Sequence, residues 1–219
     1  MKKVLRENGL SLLLLLITLL TLGGQLLMGW HEFNNELADY KQGPLTFWAY
    51  LTTGHCIEAV FENWESEFLQ MGLYVLLTVS LYQKGSSESK SLDEPEEVDR
   101  DPSSSRAGAP WPVRQGGWVL VLYQNSLSIA LLLLFAGSFV LHAMGGVKQY
   151  NTEQVLKGKP ELLTLGQFMQ TSEFWFQSLQ NWQSEFLSVL SIVVLSIFLR
   201  QKGSPQSKPV DAPNSQTGE

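Results

Sequence analysis

Hydrophobic positions along the chain are gathered into four runs, and polar residues fill the stretches between them. The runs are Leu10–Met28, Phe68–Tyr82, Trp118–Met144 and Phe186–Leu199. Soluble domains mix apolar and polar residues at the period of a helix or a strand, and these runs do not. A bilayer core of about 30 Å takes about 20 residues of helix. The first and third runs reach that length. The second and fourth reach roughly two-thirds to three-quarters of it at the helical rise per residue. Those two helices must therefore draw in NWESEF and NWQSEF upstream. The pattern predicts an all-α membrane protein with four transmembrane helices, spanning 9–29, 64–83, 119–144 and 182–200.

A positively charged start followed by a leucine run also fits a signal peptide. The run is long for a signal core, and Gly23-Gly24-Gln25 is a poor cleavage site. A matching span at Leu127–Met144 lies far from the N-terminus.

That match is part of an internal repeat. Asn63-Trp64-Glu65-Ser66-Glu67-Phe68-Leu69 reappears 118 positions later as Asn181-Trp182-Gln183-Ser184-Glu185-Phe186-Leu187. Gln83-Lys84-Gly85-Ser86 matches Gln201-Lys202-Gly203-Ser204 at the same offset. At an offset of 117, Asn8, Leu10 and Ser11 fall on Asn125, Leu127 and Ser128, and Gly29, Asn34 and Glu36 fall on Gly146, Asn151 and Glu153. The organisation expected is repeat 1 over 1–84, a linker over 85–117, repeat 2 over 118–202 and a tail over 203–219. Each repeat holds two spans and one outer loop, 30–63 or 145–181. Two spans per unit give both units the same orientation, as tandem parallel repeats about an axis along the membrane normal.

Charge sets the direction. Of 15 lysines and arginines, only Lys41, Lys148, Lys157 and Lys159 lie in the two outer loops. Positive residues stay cytoplasmic, so both termini and the linker are expected inside, in an inner (plasma) membrane. The linker and the tail are rich in Ser, Pro and acidic residues, a composition that predicts disorder. The single cysteine, Cys56, leaves no internal disulfide and no CxxC zinc pattern. A net charge of −6 without a basic patch argues against nucleic acid.

The outer loops are aromatic, and each holds a proline placed like a first helical residue, Pro44 and Pro160. Leu45, Trp48, Leu51/Thr52, His55 and Ala59 fall on one helical stripe, as do Leu162, Leu165, Phe168/Met169, Ser172 and Phe176. Two amphipathic interfacial helices are expected there, running on into the second and fourth spans.

The segments WHEFNNELADYKQGPL, FWAYLTTGHCIEAVFENWESEFLQM and LYQKGS resemble the signature of a bacterial family of small multi-span membrane proteins catalogued as a domain of unknown function. The resemblance covers nearly the whole chain. It implies a membrane protein without an assigned activity, and so brings no functional residues with it.

Candidate chemistry rests on a few side chains. Glu67 and Glu185 are the acids that both repeats keep within NWxSEF, each paired at i, i+4 with Asn63 or Asn181. A carboxylate at a membrane edge is costly unless it meets water or a partner, which makes the four residues an ion- or proton-site candidate. The plainer reading is an acid complementing a helix N-terminus. Trp64 and Trp182 read as interfacial anchors. His55, Glu58 and Glu62 share a helical face, and with His31 they form a metal candidate, since imidazole with carboxylates suits zinc, iron or manganese. His142, near the outer end of the third span, reads as a side chain bonded to a neighbouring helix or a lipid headgroup. Gly23-Gly24 and Gly145-Gly146 predict close helix approach or helix ends. GxSxG, HExxH and P-loop patterns are absent.

No enzymatic activity and no cofactor is therefore expected. The leading expectation is a structural or accessory component of a membrane complex, with the lipid bilayer and another membrane protein as partners. A small channel or transporter using Glu67 and Glu185 is the first alternative, and a metal-dependent membrane enzyme the second.

Overall fold

The computed structural model describes residues 2–159 and 161–218. Among them the ordered elements are helical. Helix α1 (Lys2–Asp39) is followed by a one-turn α2 (Phe47–Tyr50) and a long α3 (Gly54–Ser80). The short α4 (Trp111–Gln115) and α5 (Gly117–Gln124) lead to α6 (Ser126–Leu156), and a one-turn α7 (Leu165–Phe168) precedes α8 (Ser172–Phe198). Helices α1, α6 and α8 are long and apolar enough to cross a membrane. Helix α3 is 27 residues long, as is α8. Its four glutamates, Glu58, Glu62, Glu65 and Glu67, make it more polar.

The long helices reach beyond the apolar runs. Helix α1 continues to Asp39, α6 to Leu156, and α3 and α8 begin well upstream of NWESEF and NWQSEF. The outer connections shrink to 40–53 and 157–171. Near the start of each half an asparagine interrupts the helix. Asn8 has non-helical backbone angles and donates to Val4 O at 3.2 Å. Asn125 separates α5 from α6 and donates to Val121 O at 2.8 Å. A short amide side chain that bonds the preceding turn competes with the helical ladder.

The chain packs as two compact units. The first comprises residues 1–61 and 140–175. In it, Asn34 brackets the backbone of Leu45, donating to its carbonyl at 3.1 Å and accepting from its N–H at 2.7 Å. Asn151 brackets Leu163 in the same way, at 2.9 and 2.8 Å. The bracket holds the connection extended, and the next residue caps a single helical turn. Thr46 accepts from Ala49 N, and Thr164 accepts from Gln167 N. This corrects the expectation of a helix starting at Pro44, which lies outside any helix. Pro160 lies outside the described residues. The expected stripe shifts as well: Trp48 is 77 % exposed, while Tyr50 is buried with Phe33, Leu37 and Cys56 in an apolar core. A one-turn helix ending at Tyr50 cannot carry one face across to His55.

The second unit comprises residues 62–139 and 176–219. Here Gln70 of α3 donates to Glu185 O at 3.1 Å and to Ser188 Oγ at 3.2 Å on α8. Gly72 of α3 faces Leu131 and Leu132 of α6, and a methyl group added there would meet Leu132 Cδ2 at 3.3 Å. Segments 85–117 and 203–218 carry turns held by side chains. Ser89 Oγ accepts from Gln83 N, and Ser207 Oγ accepts from Gln201 N, both at 2.9 Å. Lys208 is buried and donates to the carbonyls of Gly85, Pro213, Asn214 and Gln216. Burial pushes its ammonium below the ordinary lysine value.

Replacing Asn34 by Ala leaves the N–H and C=O of Leu45 without their partner. The expected cost is about 1–3 kcal/mol, read as a lower midpoint of thermal unfolding in detergent. Asn151→Ala should cost a similar amount.

Candidate functional site

Two glycines decide where polar groups of the first unit meet. Helix α6 passes α3 with Gly145 against the backbone of Glu58: a methyl group there would sit 2.5 Å from Glu58 N and 2.9 Å from Ile57 Cγ2. Gly54 of α3 lies as tightly against the α6 backbone at Gly145 and Gln149. Small residues let helix backbones approach in this way. The approach carries the Glu58 carboxylate over Gly146, where a methyl group would meet its Oε1 at 3.3 Å.

His142 lies one turn before Gly146 on α6, fully buried, its ring 5.0 Å from that of Phe174. Its ligand nitrogen and a Glu58 oxygen come within 4.8 Å of each other. Glu58 is itself buried. An imidazole and a carboxylate from helices far apart in sequence thus share one low-dielectric pocket, lined on one side by Phe168 and Phe174. Such a pair can bind a cation or pass a proton. Glu62 follows Glu58 by one turn along α3.

The other residues singled out by sequence fall elsewhere. His55 belongs to the aromatic core: its Nδ1 is 3.1 Å from the Tyr50 hydroxyl, and its ring is 5.2 Å from Phe33. Burial raises the Tyr50 phenol far above its ordinary value, so the hydroxyl keeps its proton and can donate it to His55. His31 is exposed, its ring beside Trp30 at 4.8 Å. The geometry therefore joins Glu58 to His142, while His31 and His55 stand apart.

In the second unit Glu67 is exposed and Glu185 is half-buried, close enough for Glu67's charge to act on Glu185. Asn63 is exposed, and Asn181 donates back to Gln177 O at 3.2 Å. Trp64 packs edge-on against Phe68. Trp182 packs against Phe135 and donates its indole N–H to Glu65 at 3.2 Å. Glu65 is fully buried. Matching the two halves favours acids present in both, and Gln183 stands at the position offset by 118 from Glu65. That asymmetry was the available signal. For His142 the signal was weaker, since nothing local in the sequence ties it to Glu58.

A family model described as Domain of unknown function (DUF6766) matches residues 1–219. The chain belongs to this family. No curated protein and no solved structure matches it. The family and the three span-capable helices are those of an integral membrane protein of unknown function.

Gly145→Ala should force α6 away from α3 at Glu58 and cost about 1–3 kcal/mol, the usual penalty of overpacking. At Gly24, where an added methyl group meets nothing within 4 Å, the same change should be neutral or mildly stabilising. Thermal unfolding of the two purified variants checks the contrast. Equal losses at both glycines would remove the close approach as a determinant of stability.

Proposed function

We propose that the chain is a four-span protein of the inner membrane, built from two tandem parallel two-helix repeats, that serves as a structural or accessory component of a membrane complex. The observation that carries the accessory role is the nakedness of α1: within its most apolar stretch no residue is buried by the rest of the chain. Spans of a self-sufficient bundle pack one face on their neighbours. A span whose apolar residues are left unburied by its own chain offers a seat for a helix of another membrane protein. The duplicate Asn34–Leu45 and Asn151–Leu163 brackets support the repeat, and the matching lengths of α3 and α8 support α3 as the fourth span. Lysine and arginine distribution supports cytoplasmic termini.

Affinity purification from native membranes in a mild detergent, followed by mass spectrometry, should return a stoichiometric membrane-protein partner. Charged substitutions on α1, such as Leu13→Lys, should release it. A partner-free particle would end the accessory reading.

A second reading, a small channel or transporter, draws on the neighbouring charges of Glu67 and Glu185 and on the polar Gln70–Ser188 contact beside them. If ions pass there, replacing both glutamates by Gln should cut flux in proteoliposomes about tenfold, a loss of roughly 1.4 kcal/mol in barrier terms. Unchanged flux would remove both residues from any pathway.

A further inference from the structure

We propose that Glu58 and His142 hold a divalent transition-metal ion between α3 and α6. The inference goes beyond the accessory role and does not depend on it.

Three observations converge. The two ligand atoms lie within 4.8 Å of each other, and two ligands of one zinc-type ion, each ~2.0–2.2 Å from the metal, stand ~3–4.4 Å apart. Both side chains are buried, on helices that the sequence separates by the whole linker. The glycine at 145 is what lets the helices close to that distance, and the bare Gly146 leaves the carboxylate its room. An anionic carboxylate in apolar surroundings is costly, and a cation shared with a neutral imidazole offsets that cost. Helical periodicity sets Glu62 on the same face of α3, one turn on, as the next carboxylate along.

The donor chemistry narrows the metal. Imidazole with carboxylate selects zinc, iron or manganese over calcium and magnesium, which prefer all-oxygen sites. The Cys56 thiol sits in the separate core of Phe33, Leu37 and Tyr50, so soft copper(I) is disfavoured.

The test uses the full-length protein, purified in mild detergent on a tag without histidine, stripped with a chelator and titrated separately with zinc and cobalt(II). Wild type should retain one zinc per chain through desalting. Glu58→Gln and His142→Gln should each weaken zinc binding about tenfold or more, while His31→Asn should leave it unchanged. Should the Gln variants fail to fold, His142→Cys supplies the decisive reading. A thiolate ligand adds a near-ultraviolet charge-transfer band to the cobalt spectrum, and that band appears only if residue 142 binds the metal. Wild type without stoichiometric metal would overturn the proposal, leaving Glu58 and His142 as buried neighbours on two helices. So would Gln variants that bind as wild type does, or a His142→Cys protein without the new band.

Discussion

Polar groups carried into apolar surroundings must find their partners within the chain, and most of this structure follows from that requirement. In hydrocarbon an unpaired backbone or side-chain polar group costs several kcal/mol. The long helices satisfy their own backbones, and their hydroxyls fold back onto the preceding turn, as Thr18 does on Leu14 O, Thr78 on Tyr74 O and Ser191 on Leu187 O. Amides and indoles reach further. Gln25 donates to Ala59 O, Gln70 to Glu185 O and Trp182 to Glu65. Each of these bonds joins one long helix to another and fixes its rotation, so polar pairing does the orienting that apolar contact alone cannot do among lipid tails.

The same requirement shapes the connections outside the apolar runs. A chain leaving a helix must place its amide and carbonyl somewhere, and Asn34 and Asn151 take both from the same residue of the returning strand. The threonine that follows each bracketed leucine then starts a single turn and delivers Tyr50 or Phe168 to the interior. Close backbone approach completes the arrangement, since Gly54 and Gly145 remove the side chains that would hold α3 and α6 apart. The paired asparagines make the two halves alike locally. The glycine crossing, the buried Glu58 and the buried His142 have no like partner in the other half, and the chemistry therefore gathers on the side where the halves differ.

That asymmetry has a consequence for function. Of the two NWxSEF acids, Glu67 is exposed and Glu185 half-buried. The buried acids, Glu58 and Glu65, are the singular ones, and each is met by a specific side chain from a different helix: an imidazole for the first, an indole N–H for the second. A buried carboxylate earns its place only through such a partner, and Glu58 with His142 is where ligand chemistry is concentrated in the first unit.

The sequence alone determined the parts that depend on neighbours along the chain. The apolar runs showed where long helices lie, because hydropathy and helical rise are local quantities. NWxSEF and the asparagine offsets recur along the chain at nearly constant spacing, a pattern that is likewise local. The start of a helix at Pro44 was misjudged because the deciding contact, Asn34 on Leu45, spans eleven residues and outweighs a proline's preference. Gly23-Gly24 and Gly145-Gly146 alike fit a close approach or a helix end, and of Gly24 and Gly145 only the latter meets another helix. Helical spacing groups His55 with Glu58 and Glu62, and it knows nothing of a second helix. Only the tertiary structure could bring His142 to Glu58, since the packing of two helices, and not the order of residues on either one, decides which side chains share a buried space.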